Sequence, residues 1–117
     1  MGGKLLSIDD ILKCPDLEER TVDVPEWGGQ VKVKGFSKAT QQQMRKEATY
    51  DGEIDSDRLE MFMFIYGVIE PKCDKSHYEQ LREKSAGAID KIVKEIMSVS
   101  GMDEQTVKKA EKSFRSE

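Results

Sequence analysis

Two stretches in the first third of the chain alternate polar and apolar residues, and the apolar positions after them recur at helical spacing. Thr21-Val22-Asp23-Val24 and Gln30-Val31-Lys32-Val33-Lys34 send successive side chains to opposite faces, as half-buried strands do. Between them, Gly28-Gly29 suits the positive φ angles of a two-residue type I′ turn. That turn predicts Trp27 opposite Gln30, Val24 opposite Val33 and Asp23 opposite Lys34, with the valines on one face and an ion pair on the other. Pro25 donates no ladder hydrogen bond, which places a sheet edge there. A lone hairpin is marginal in water, so the valine face needs a helix or another subunit over it.

Residues 1–20 read as an N-terminal arm. Ser7 and Asp10 have the spacing of a capping box, and Ile8, Ile11 and Leu12 follow helical spacing, predicting about two turns that Pro15 stops. Beyond Phe36, Ser37 caps a helix over about 38–50 with Ala39, Met44 and Ala48 as its sparse apolar positions, and Asp51-Gly52 ends it. Asp55 or Ser56 opens a helix over about 56–66. Its run Met61-Phe62-Met63-Phe64-Ile65-Tyr66 wraps every side, so it lies centrally in the core or is shared with a partner. Val68–Lys72 reads as an extended connection, because Pro71 biases Glu70 away from helix. Asp74 caps a helix over about 75–84 containing Tyr78 and Leu81. Ile89, Ile92, Val93, Ile96 and Met97 form the cleanest amphipathic stripe, in a helix over about 86–99 with Gly101 as its C-terminal cap. A polar helix over about 104–115 closes the chain, with Val107, Ala110 and Phe114 as a thin apolar line. The fold class is therefore α+β: an N-terminal β-hairpin packed on four or five helices, as one domain over 21–117 behind the arm.

Composition narrows the function more than the fold. Only 37% of the 117 residues are hydrophobic and 36% are charged, with a mean hydropathy of −0.65, which predicts much solvated helix surface or apolar surface completed by partner subunits. A net charge of −4, with 19 basic and 23 acidic residues interspersed, argues against a dedicated nucleic-acid binder. No apolar run approaches the roughly 18 to 20 residues that span a bilayer. Residues 1–7 carry neither the apolar region nor the cleavage site of a secretory leader. Cys14 and Cys73 have no pairing signature and read as free thiols in a reducing cytosol.

Catalytic chemistry is hard to assemble from these residues. The single histidine, His77, with two scattered cysteines does not supply a metal site. Cys73 and His77 stand four apart, but Asp74 and Lys75 beside them read as capping and solvation rather than a nucleophile pair. Gly28-Gly29 precedes a strand, so it lacks the helix N-terminus of a phosphate-binding loop. The expectation is a protein without catalytic residues, cofactor or metal. Two features invite a binding role: Trp27 at the hairpin tip, and the Met61–Tyr66 run with Met44, Met97 and Met102 nearby, since thioethers adapt to varied apolar partners.

The string Val22-Asp23-Val24-Pro25-Glu26-Trp27-Gly28-Gly29-Gln30-Val31-Lys32-Val33-Lys34, followed by Ser37-Lys38-Ala39-Thr40, resembles the tail assembly chaperones of long-tailed phages and prophages. Gly67-Val68-Ile69-Glu70-Pro71-Lys72, Ile96–Met102 and Val107–Phe114 extend the likeness over roughly residues 20–115, with a departure at Gly35-Phe36. The resemblance implies a non-enzymatic protein of the bacterial cytoplasm that binds the tape measure protein and keeps it soluble while the tail tube assembles. It implies self-association, and a second partner, the tail tube protein, through a longer frameshifted form. On that reading Trp27, Phe62, Met63, Phe64 and Tyr66 are the candidate contacts for partner or self. Two rival readings are a structural tail adaptor or completion subunit, and a small mobile-element regulator using Lys108, Lys109, Lys112 and Arg115 on nucleic acid.

Overall fold

The computed structural model describes residues 3–102; the expected helix over 104–115, with its four basic residues, lies outside them. The fold is α+β. Helix α1 (Ile8–Lys13) precedes strands β1 (Glu19–Val24) and β2 (Gly29–Lys34). Helix α2 (Lys38–Ala48) leads into a small ribbon of β3 (Thr49–Tyr50) and β4 (Glu53–Ile54). Then come α3 (Ser56–Gly67), β5 (Val68–Glu70), α4 (Tyr78–Arg82) and α5 (Ala86–Val99).

The hairpin forms in a register different from the expected one. Its partners are Glu19 with Lys34, Thr21 with Lys32, Val22 with Val31, Asp23 with Gln30 and Val24 with Gly29. Pro25–Trp27 make a 3₁₀ turn instead of strand, and Gly28 alone takes a positive φ of 74°, so four residues connect the strands. The proline presets φ for this turn, and Gly29 is an ordinary strand residue. The slip is four residues in pairing, an even step, so the valines keep their common face. The expected Asp23–Lys34 pair is replaced: Gln30 Nε2 donates to Asp23 Oδ1 at 2.6 Å, and Lys34 stands opposite Glu19.

The segment after Gly67 is more than a connection. Val68–Glu70 pairs antiparallel with β2, giving a three-stranded sheet in the order β1-β2-β5. Helix α5 lies across the valine face and packs on β1 and β2, α3 packs on α5, and α2 packs on α3. Val22, Val24, Val31 and Val33 meet Ile89, Ile92, Val93 and Ile96 of α5 and Phe62–Ile65 of α3 in a single core cluster. Burying an aliphatic or aromatic side chain contributes about 1.5–3 kcal/mol, so this cluster is the main stabilising element.

Helix ends follow the sequence closely. The Ser37 hydroxyl accepts from Thr40 N at 3.1 Å, Asp55 caps α3 by accepting from Asp57 N and Arg58 N, and Ser85 caps α5. Helix α5 ends in a Schellman motif: Gly101 has φ of 71°, Met102 N donates to Met97 O at 2.7 Å and Gly101 N to Ser98 O at 3.1 Å. The expected helix over 75–84 is a 3₁₀ turn (Lys75–His77) running into the short α4. Helix α2 stops at Ala48, before Tyr50, because Asp51 and Gly52 take φ of 54° and 82° and turn the chain back as a tight hairpin.

Candidate functional site

The five candidate contact residues fall into two groups. Phe62, Met63 and Phe64 are buried in the core, at 8%, 5% and 3% exposure, and offer little surface to a partner. Helix α3 lies between α2 and α5, so its aromatic run is covered from more than one side. Trp27 is 38% exposed. Its ring meets Phe64 edge-on, with centroids 6.2 Å apart, so one side closes the core while the rest of the indole faces outward. Tyr66 is half-buried at the end of α3, with the Phe62 ring 6.4 Å away.

Tyr66 belongs to a polar trio. Its hydroxyl donates to both oxygens of Glu47, and Lys75 Nζ donates to Oε1 of the same carboxylate. Burial works to raise the Glu47 pKa, but the bonds from Lys75, Tyr66 and Gln43 outweigh it and hold the carboxyl below its ordinary value. Burial, and then the Glu47 charge, push the Tyr66 phenol up. The trio ties α2 to the end of α3 and to the 3₁₀ turn.

Beside it, Ile65, Val68, Ile69 and Cys73 line an open cavity of about 470 Å³ together with Tyr66, Lys72, Asp74 and Lys75. The Cys73 thiol donates to Ile65 O at 3.8 Å, and burial pushes its pKa up, opposite to the shift that makes a thiol nucleophilic. His77 is engaged in a cap: its Nδ1 accepts from Asp74 N at 3.1 Å, and Asp74 accepts in turn from Ser76 N at 2.8 Å. Both cysteines are free, and the described residues hold no group of three or more potential metal ligands.

The largest exposed apolar surface lies where the sequence pattern showed only a short helix. Leu5, Leu6, Ile8, Ile11, Leu12 and Leu17 are 39–97% exposed, and no residue of α1 is buried. The helix itself is well made: Asp10 N donates to Ser7 Oγ at 3.1 Å and Ser7 N to Asp10 Oδ2 at 3.0 Å, a complete capping box. Tyr50 and Ile54, 70% and 50% exposed, stand on the β3–β4 ribbon, where pairing with Glu53 and Thr49 sets them on opposite faces, and the Arg58 guanidinium lies 5.9 Å from the Tyr50 ring. Helical spacing in α1 could not separate these residues from core, because a two-turn stripe looks the same whether or not anything packs on it.

Among the described residues no helix is long and apolar enough to cross a membrane. Comparison with models of known protein families, with curated proteins and with solved structures finds no match to this chain.

Proposed function

We propose that this chain is a non-enzymatic tail assembly chaperone of a long-tailed phage or prophage, working in the bacterial cytoplasm. Its client is the tape measure protein, which it keeps soluble while tail tube subunits polymerise. The observation that carries the reading is the segment Val22–Lys34, whose residues resemble the strand–turn–strand string of that family. The exposed part of Trp27 and the Tyr50–Ile54 ribbon support it, since a holding chaperone needs accessible apolar surface set among charges rather than a catalytic group. Several copies along one client would bind by avidity, each contact being weak.

Co-expression is the direct test. The wild-type chain is expected to raise the soluble yield of a co-expressed tape measure protein, and Trp27→Ala to reduce that gain. Unchanged client solubility with the wild-type chain refutes the activity. Phe64→Ala cannot serve as a binding probe, because Phe64 is core and its loss destabilises the fold. Mass spectrometry of mature particles separates this reading from a structural tail subunit, which would be retained there.

A further inference from the structure

Strand β1 is an outer strand of the sheet, and an outer strand carries a row of backbone groups that a further strand can pair with. The register says which groups these are. Gly35 N donates to Glu18 O at 2.9 Å, one step beyond the Glu19–Lys34 partners and in the same register. Alternate residues of an antiparallel ladder bond to the neighbouring strand, so Glu18, Arg20, Val22 and Val24 bond toward β2. Glu19, Thr21 and Asp23 therefore turn their N–H and C=O groups to the open edge. All three are exposed, with their side chains on the face opposite the valines.

One of these outward carbonyls is already taken. Lys91 Nζ, carried by α5 from the valine side of the sheet, donates to Asp23 O at 2.6 Å. Four and seven residues further along α5, Glu95 and Ser98 hold Arg20, whose guanidinium donates to them at 2.8 and 3.3 Å. Lys91, Glu95 and Ser98 thus run alongside β1. With Asp23 O occupied, the open edge shrinks to Glu19 and Thr21, shorter than the roughly three residues of the smallest ordinary strand. Charge works in the same direction. The two-fold antiparallel register that uses all three outward residues sets Thr21 against its own copy and Glu19 against Asp23 at both ends, and like charges directly opposite repel. The other outer strand, β5, is only Val68–Glu70 and is followed by Pro71, which blunts that edge as well.

We propose that Lys91 guards the edge of β1: by occupying the outward carbonyl of Asp23 it prevents the β1 strands of two copies from pairing into one sheet. A chain with this much exposed apolar surface, in the arm and at Trp27, meets other copies readily. An open strand edge would turn such an encounter into a persistent backbone ladder. The guard leaves the apolar surface accessible while closing the edge, so any self-association of this chain runs through another surface. The proposal does not rest on the proposed function, and its test uses no client.

The test is sedimentation velocity of the full chain over a concentration series, with wild type as the baseline. Lys91→Ala is expected to associate about tenfold more tightly than wild type, the factor that one regained ladder bond in each copy supplies. Lys91→Arg keeps a charged donor and is expected to stay at the baseline. Adding Thr21→Pro to Lys91→Ala is expected to return it there, because a proline at 21 removes an outward N–H and no bond to β2. Amide exchange at Thr21 reads the edge directly, and needs no proline should that variant misfold. It is expected to be fast in wild type at every concentration, and to slow in Lys91→Ala as concentration rises. Lys91→Ala that sediments like wild type overturns the proposal. So does a gain in association that leaves the Thr21 amide unprotected, and so does a wild-type Thr21 amide that becomes protected with concentration.

Discussion

Gly67 ends α3 where the helix presses on α5. A Cβ there would stand 2.5–2.8 Å from three atoms of the Ile96 side chain, which is itself fully buried. Gly67→Ala is therefore expected to destabilise the fold by about 1–3 kcal/mol through overpacking, despite alanine's better helix propensity, and a urea midpoint measures it. A similar constraint explains Gly35: a Cβ would lie 2.6 Å from Val99 O, so backbone approaches backbone at the end of α5. Glu60 shows a residue effect of another kind. Burial, together with the neighbouring Asp90 carboxyl and the charge of Asp57, pushes its pKa from 4.5 to about 7. The folded chain then holds a proton that the unfolded chain has released, so this contribution to stability is present below pH 4.5 and lost as pH rises to 7. Glu60→Gln is expected to flatten that slope and stabilise the protein at pH 8, by about 1 kcal/mol once solvent screening at the half-buried site is allowed for. A pH series of melting temperatures for both proteins decides it.

At the scale of elements, the hairpin turn distinguishes two adjacent glycines. Gly28 occupies the left-handed region and Gly29 does not, although neither has a neighbour within 4 Å of an added Cβ. Gly28→Ala is expected to cost about 1–2 kcal/mol and Gly29→Ala much less, whereas a type I′ turn centred on both would penalise both. Denaturant curves of the two variants compare them. The strands and their inward valines were legible from alternation. The register was not, because Pro25-Glu26-Trp27 carries no pattern that tells strand from 3₁₀ turn. The third strand was hidden for a related reason: three residues are too few to show a period, and only pairing with β2 makes them a strand. The caps at Ser7, Ser37, Asp55, Asp74 and Gly101 were readable because each bond is local in sequence.

At the scale of the whole molecule, the core and the arm are energetically separate. Ser7→Ala removes the arm's capping bond, yet it is expected to shift global stability by less than about 0.5 kcal/mol, since α1 packs on nothing else to a substantial extent. Ile92→Ala, at the centre of the sheet–helix interface and fully buried, is expected to cost about 2–5 kcal/mol. Chemical denaturation of the two variants measures the contrast. Long-range polar ties fasten the same interface: Arg20 reaches Glu95 at 2.8 Å, and Lys91 Nζ donates to Asp23 O at 2.6 Å on the outer strand. Neither pair has a signature in sequence, because the partners lie 75 and 68 residues apart.

The candidate site divides in the same way. Trp27 was legible as a hairpin-tip residue, but whether it folds back as core, like the choice between core and interface for the aromatic run of α3, stayed open until its neighbours were known. By itself the sequence determined the α+β class, the helix caps, the amphipathic stripe of α5 and the valine face, since all of these depend on local bonds and side-chain periodicity. Only the tertiary structure decided which apolar residues are covered. Burial is a property of what packs against a residue, so Phe62–Phe64 disappear into the core between helices, while Leu5–Leu12, equally apolar, remain in the open.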